Sequence, residues 1–558
     1  MLKLQHFAAA SALLALSVTP ATQAAAAAPA GLKSALADGS IGLLPVQNFR
    51  LTDGKCADCA TLPQALWYFK DDVLAVPQSA QPMSGYAAHA ANMQDVKEWS
   101  ATLGAATLAH PPLVWLGAPY LFDDVTLLPN GREVRAADGS LNALHLASKI
   151  PTNLSYWNEK TTAYFAKRPL RMRGSMKDVA GTPTFVARTV WPKDFAIDAA
   201  SMPVRPFAAG ESLTSFVQEA GGGAASAFST RLLWERSAGQ GRQWQDKPVI
   251  GIMLNGAQGD DDEAFGGHFA VATGTIGQQG QMSDWVVNNF YNLDSFSEKG
   301  IVAAPVPMDN YLMDLNSGQQ YYRPSYMLVA VLGSARTAVA YQGGVQRVFN
   351  HFYKHDFTYR HAAANCAGIS VDVFKALGWN IPQRGATSSL KAIGAYGYLS
   401  AKDMSLASGR KIYDYLTEEQ TRLYPAVAFD AAGTDLMQLV GAGAAKPVRE
   451  LTGFEKQLRD DVEAIVLVRI PQIPSSRAMG SNPIFSFDEF MARTPPDQKD
   501  WKIVPVGPRP FPAELRGDTP LAAGPNPVPL PVAGIAAVGV IGIGAFMRRR
   551  RNGKAKRG

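Results

Sequence analysis

Cysteine is scarce in this chain: of 558 residues only three are Cys, with Cys56 and Cys59 close together in "GKCADCA" and Cys366 alone in "AAANCAGIS". So few sulfurs exclude a disulfide-framed scaffold and a cysteine-rich zinc or iron–sulfur protein. No GxxxxGK[ST] loop is present to cradle phosphate, and no GxSxG elbow to carry a serine nucleophile. "SSLK" at Ser388 to Lys391 matches SxxK, yet the SDN and KTG partners are missing and the match reads as chance. The histidines offer no HExxH, because no Glu follows His351 in the pair His351 and His355, and these two with His361 read as solvated or facing the N-terminal region. "GDDDEAFGG" holds an acidic run, Asp260 to Glu263, without EF-hand spacing, and reads as a solvated loop at a pocket mouth. Repeats and heptads are absent, and no cofactor is expected.

What is present begins at the two ends. "MLKLQHFAAASALLALSVTPATQAAAAAP" has a positive Lys3, a short apolar run and small residues before Ala24, the pattern of a secretory signal over residues 1–24. "NPVPLPVAGIAAVGVIGIGAFMRRRRNGKAKRG" runs from a Pro-rich approach (508–531) into a small apolar stretch and an arginine block (532–558). An exported chain ending this way is held in the membrane with its arginines on the cytoplasmic side. These three parts in this order resemble the PEP-CTERM class of bacterial sorting signals in its VPLPA-like variant. The resemblance implies an exosortase-like sorting protease as a partner, a C-terminal inner-membrane anchor before processing, and a Gram-negative-type cell that delivers the protein to periplasm, outer surface or extracellular matrix. A plain C-terminal anchor is the simpler alternative.

The two ends also account for the net charge of +6. Lys3, Arg548 to Arg551, Lys554, Lys556 and Arg557 belong to them; without these eight, 45 of the 53 basic residues face 47 acidic ones, about −2. The body therefore carries no excess of positive charge, and nucleic acid is not expected as a partner.

In an oxidising compartment Cys56 and Cys59 are expected to form a local disulfide. A redox CxxC and a metal site stay open as alternatives; c-type haem attachment is excluded because Ala60, not His, follows the pair. Cys366 is left as a free thiol.

Between the ends the pattern is α+β. Residues 25–245 mix short apolar strands with turns, "PTFVARTVWP" among them, and read as a mostly β region of unknown role. From 246 to 507 the strands "KPVIGIMLNG", "GGHFAVATGTI", "DWVVNNFYNL" and "SYMLVAVLG" lead into a helix over "SARTAVAYQGGVQRVFNHFYKH" despite its glycines. A second helix opens at Cys366, a helical extension follows, and "AIVLVRIP" is a last strand. The second and third of these strands, joined by "GQQGQMS", predict a hairpin.

In "NCAGISVDVFKALG", Ile369, Val373, Phe374 and Leu377 recur at helical spacing, which puts Cys366 in the first turn behind Asn365, a good N-cap type. Unpaired N–H groups and the helix dipole favour a thiolate there. A nucleophile needs a base: His268 opens a strand after Gly266 and Gly267, and across the hairpin either Asn288 or Asn289 is positioned to orient its imidazole. Alternation places the two asparagines on opposite faces, so only one serves, and Asn289 is favoured. A lone Cys on a helix is more often a small buried apolar residue; here the histidine, the asparagines and the export signals argue for chemistry.

A Gly-His opening a strand, a polar residue on the next, and a later Asn-Cys opening a helix, as in "FGGHFAVATG…VVNNFYNLDSF…FTYRHAAANCAGISVDVF", resemble circularly permuted papain-like thiol hydrolases. These are relatives of the NlpC-type cell-wall peptidases and of the lecithin:retinol acyltransferase group. The resemblance spans about a quarter of the chain, residues 247–379. It implies a permuted papain-like domain within 246–507, an antiparallel sheet packed on the Cys-bearing helix, with Cys366 as nucleophile, His268 as base and Asn289 or Asn288 as orienter. Backbone N–H groups at the helix start, aided by Asn365 or Tyr359, would hold the oxyanion. The function implied is that of an exported thiol hydrolase or acyltransferase working through a cysteine acyl-enzyme on a cell-wall peptide, a protein or a lipid acyl group. The alternative is a non-catalytic surface or biofilm-matrix protein that keeps the scaffold as a binding module.

Overall fold

The computed structural model describes residues 29–515, apart from 38, 60, 103–107, 151–153, 220–222, 239–240, 294–302, 443–446, 476–477 and 505–510. The signal expected at 1–24, all but a few residues of the Pro-rich stretch and the C-terminal segment at 532–558 lie outside the described residues. Among the described residues no helix is long and apolar enough to cross a membrane.

The chain is α+β, with several antiparallel sheets and a set of helices. The N-terminal part builds a six-stranded sheet ordered Leu32–Ser34, Tyr120–Leu127, Pro169–Val179, Thr182–Pro192, Leu141–Leu146, Glu133–Arg135. Glu133–Arg135 also pairs with Tyr120–Leu127, so five of these strands close into a ring. Closure removes free strand edges without a covering layer.

The second sheet has seven strands, every neighbour antiparallel: Ser229–Glu235, Val462–Ile470, Ser325–Leu332, Pro248–Asn255, His268–Thr275, Val286–Asn289 and Ala304–Pro307. All five strands expected from the sequence are in it, and the expected hairpin joins His268–Thr275 to Val286–Asn289. Its central strands are buried on both faces, which is why they read as continuous apolar runs rather than as alternation. The sheet reaches back across residue 245, because Ser229–Glu235 is its edge strand.

One hydrophobic core extends from Ala65 to Phe511 and takes in residues of both sheets. Buried ions join the two parts: Arg173, on a strand of the ring, pairs with Asp309 at 3.2 Å, and Arg188 with Asp314 at 3.1 Å. Asp309 lies in the first turn of the short helix Met308–Met313 and Asp314 is its C-cap, so this helix is clamped at both ends from the N-terminal side.

Helix Arg336–Tyr353 forms as expected, and its glycines have a packing cause. A Cβ on Gly343 would stand 2.3 Å from the ring of Trp99, which belongs to helix Asn92–Ala101. The missing side chain is the seat of that indole. Helix Asn92–Ala101 packs in this way against both Arg336–Tyr353 and the Cys366 helix.

His351 fixes the same contact. Its Nδ1 lies 2.9 Å from Asp356 Oδ1 and its Nε2 lies 2.9 Å from Asp95 Oδ2, while Arg347 donates to the same Asp95. Neither His351 nor His355 is solvated, contrary to one of the sequence alternatives: His355 is buried against Tyr68 Oη at 3.1 Å, and both face N-terminal residues. Two carboxylates on the two ring nitrogens demand two donors, hence an imidazolium. Burial pulls the His351 pKa down, but the hydrogen bonds and charges of Asp356 and Asp95 outweigh it and hold it above the ordinary value. A raised folded pKa contributes stability that is complete below the unfolded value, about 6.5, and is lost as pH rises through the folded one. The melting temperature of the wild-type protein is therefore expected to fall from pH 6 to pH 9 by more than that of His351→Gln, with the two curves converging at the alkaline end. Parallel curves in a thermal-denaturation series would refute the assignment.

Candidate active site

The Cys366 helix, Cys366–Leu377, starts where the sequence places it. Asn365 Oδ1 accepts from Gly368 N–H at 2.9 Å, and Gly378, at φ 105°, ends the helix. Both hydrogens of the Asn365 amide are committed as well, to His361 O and Leu423 O at 2.9 Å each. Asn365 therefore shapes the helix start as a cap and has no donor left for an oxyanion.

The helix packs on strand His268–Thr275. At the contact, the Cys366 sulfur meets the backbone of Phe269, the residue after His268, along with the backbone of Ala367 and the Tyr359 hydroxyl. The Cys366 N–H donates to Tyr359 Oη at 3.4 Å. Residues almost a hundred positions apart in sequence are thus neighbours at one end of the sheet.

His268 Nε2 stands 2.5 Å from Asn289 Oδ1. The register explains the choice of asparagine: Val271 is opposite Asn288, so Asn289 lies on the other face, the one that His268 shares. Asn288 instead donates to Val271 O at 3.3 Å and accepts from Gln346 Nε2 at 3.4 Å. It braces the sheet against helix Arg336–Tyr353 and does not reach the imidazole. Because a carbonyl oxygen can only accept, the Asn289 contact fixes the proton on Nε2 and leaves Nδ1 with a free lone pair. That is the tautomer of a base.

Both groups are deeply buried, His268 at 3% exposure and Cys366 at 4%. Burial first, then the charge of Arg323, lowers the imidazole pKa to about 3, against the opposing Asn289 bond. For the thiol, burial raises the pKa above the ordinary value; the Phe269 and Ala367 backbones, the Tyr359 hydroxyl and Arg323 offset this only in part. The helix start thus does not yield the resting thiolate that the sequence predicts: desolvation exceeds the favourable dipole, and the closed site holds a neutral thiol beside a neutral imidazole.

Several neighbours were not foreseen. Tyr311, on helix Met308–Met313, has its ring centroid 6.4 Å from that of His268 and donates its hydroxyl to Asn255 Oδ1. Asn255 is the register partner of His268 on one side and of Ser325 on the other, and donates to Ser325 Oγ at 2.6 Å. Arg323, two residues before Ser325, is buried and donates to Gly256 O at 3.2 Å. The one sequence cue was Asn255 itself, a polar residue ending an apolar strand. Tyr291, 6.3 Å from His268 between centroids, stacks on Tyr359 at 5.7 Å and closes the ring of aromatic neighbours.

Gly267 sets the approach to His268. Its φ is +71° and ψ −158°, and a Cβ there would meet Asn255 O at 2.3 Å and Pro483 at 2.8 Å. Gly266 has open space around it. Gly267→Ala is expected to cost about 3 kcal/mol or more through backbone strain and overpacking, and Gly266→Ala less than about 1 kcal/mol. Urea titrations of the two variants check this; equal losses would contradict the described turn.

The acidic run is not the solvated loop expected. Asp261 is buried and caps the turn Asp262–Gly266 through Glu263 N–H at 3.1 Å, and Asp262 Oδ2 accepts from Lys502 N–H at 2.9 Å. "SSLK" also has a structural role: Ser388 Oγ caps helix Ser389–Lys402 at Lys391 N–H, and Lys391 Nζ pairs with Asp488. Cys56 and Cys59 are joined as a disulfide, with Cα atoms 5.7 Å apart.

No family model matches this chain, and neither a curated protein nor a solved structure is similar enough to it to count as a match.

Proposed function

We propose that the protein is a cysteine acyl-transfer enzyme of the permuted papain-like type, with Cys366 as nucleophile, His268 as base and Asn289 as orienter. The observation that carries this is the bond from His268 Nε2 to Asn289 Oδ1, which leaves Nδ1 as acceptor on the residue next to the one against which the Cys366 sulfur rests. In this reading Nδ1 takes the thiol proton as the sulfur attacks a carbonyl carbon. Ala367 N–H, at the helix start, stabilises the oxyanion; Tyr359 holds the sulfur in place. The imidazolium then protonates the leaving amine or alcohol, and water or a second acceptor releases the acyl group. With the imidazole pKa at about 3 and the thiol above its ordinary value, the resting pair is poorly matched for proton transfer, so in this reading substrate binding has to raise the first and lower the second before the proton moves.

The substrate class is an amide or ester: peptidoglycan stem peptides or protein first, lipid acyl groups second. Export, a sorting tail removed by a membrane protease, and a site of action in the cell envelope complete the proposal. A second reading, a scaffold kept for binding or a closed precursor, is favoured by the burial of both reactive groups, 3% and 4% exposed.

Intact-mass spectrometry after incubation with p-nitrophenyl esters and with muropeptides distinguishes the two. An acyl adduct that maps to Cys366 and vanishes in Cys366→Ala is the expected result. Adducts of equal yield in both proteins, or none with either substrate class, would favour the binding scaffold.

A further inference from the structure

Cys56 and Cys59 take no part in the Cys366 site. They lie half-buried in the loop between strand Phe49–Asp53 and helix Pro63–Tyr68, bonded across a sequence separation of 3. So short a loop has little freedom to lose, so the bond contributes little by constraining the unfolded chain. Two charged side chains nevertheless converge on the sulfurs. Arg50 Nη2, from the preceding strand, is 3.1 Å from Cys56 Sγ, 3.4 Å from Cys59 Sγ and 2.9 Å from Asp58 Oδ1. Asp58 Oδ1 is itself 3.0 Å from Cys56 Sγ, and its side chain is 84% exposed. An inert disulfide has no use for a cation on both sulfurs or a carboxylate on one. A thiolate needs the first, and the proton exchange that makes or quenches it needs the second.

We propose that Cys56, Cys59, Arg50 and Asp58 form a thiol–disulfide exchange site, independent of Cys366, whose partner is a dithiol. A thiolate of the partner attacks Cys59 Sγ, the sulfur less closely held by Arg50. The Cys56–Cys59 bond breaks, its electron pair goes to Cys56, and that thiolate leaves against the guanidinium. Asp58 relays a proton to Cys56. The partner's second thiol, deprotonated, then attacks its own sulfur in the mixed disulfide and releases Cys59, which takes up the second proton. The partner departs as a disulfide, two electrons and two protons having passed to this chain. Cys56, Asp58 and Cys59, whose ligating atoms lie within 4.8 Å of one another, would offer a metal site as the competing outcome of reduction.

The test uses the full chain and dithiothreitol. Reduction is followed by acid quenching, maleimide labelling and mass spectrometry. Arg50→Gln is expected to slow reduction about tenfold by raising the energy of the leaving thiolate, and Arg50→Lys to recover most of the loss. The reduced and oxidised wild-type proteins are expected to melt within a few degrees of each other. Equal reduction rates in wild type and Arg50→Gln, a large drop in melting temperature on reduction, or one zinc ion retained per reduced chain after gel filtration would each overturn the proposal.

Discussion

Asp309→Ala is expected to destabilise the protein by about 3–5 kcal/mol, because it strands the Arg173 guanidinium in a core from which water is excluded. Arg173 is 2% exposed and Asp309 not at all, and two parallel contacts of 3.2 Å join them. The cost comes from the cation left unpaired more than from the attraction lost, so the double variant Arg173→Met, Asp309→Leu is expected to recover most of it. An exposed pair provides the contrast: Lys55 and Asp71 are 65% and 71% exposed, and Asp71→Ala is expected to cost no more than about 0.5 kcal/mol. Equilibrium urea unfolding, read by tryptophan fluorescence and far-ultraviolet circular dichroism, checks the size of the effect and whether it stays one transition. The pair couples the closed ring to the helix that carries Tyr311, so a single transition shifted to lower urea follows from the continuous core. Two separated transitions in the variant would mean that the N-terminal part folds by itself.

The second large effect concerns chemistry. His268→Ala is expected to lower turnover of any acyl substrate by about 10²–10⁴-fold, the usual contribution of a positioned base. Asn289→Ala leaves the imidazole present but free to rotate and to change tautomer; a loss of about 10²-fold is expected from misplacement alone. Asn288→Ala is the internal control. It removes buried bonds to Val271 and Gln346 and is expected to cost about 1–3 kcal/mol of stability while leaving the rate per folded molecule nearly unchanged. Comparable rate losses in both asparagine variants would contradict the assignment of faces.

The parts of this site that were legible in the sequence are those with a local physical signature. An Asn before an apolar helical stripe announces a capped helix, and Asn365 caps it. A hairpin with a polar turn fixes which residues can stand opposite His268, and period-two alternation separates Asn288 from Asn289 once the register is known. What stayed hidden depends on long-range placement. Arg323 and Tyr311 reach the site only because Ser325, Asn255 and His268 fall in one row across three strands, a row that no single segment encodes. Helix Pro425–Val440 is hard to read from sequence because it is buried along most of its length, with only Thr434, Gln438 and Val440 part-exposed, so its polar stripe is narrow and its period weak. The thiol's electrostatics were misread for a similar reason: the helix start is local and favours charge, whereas the desolvation that outweighs it comes from the whole fold.

The most direct measurement is the rate of Cys366 alkylation by iodoacetamide across pH 4 to 10, in the wild type and in His268→Ala, with the modified residue identified by peptide mass spectrometry. A neutral thiol activated by a neutral imidazole predicts a wild-type rate that climbs with pH without a plateau between pH 4 and 8, and a rate in His268→Ala at least about tenfold lower at neutral pH. Identical profiles for the two proteins would contradict the central claim that His268 serves Cys366.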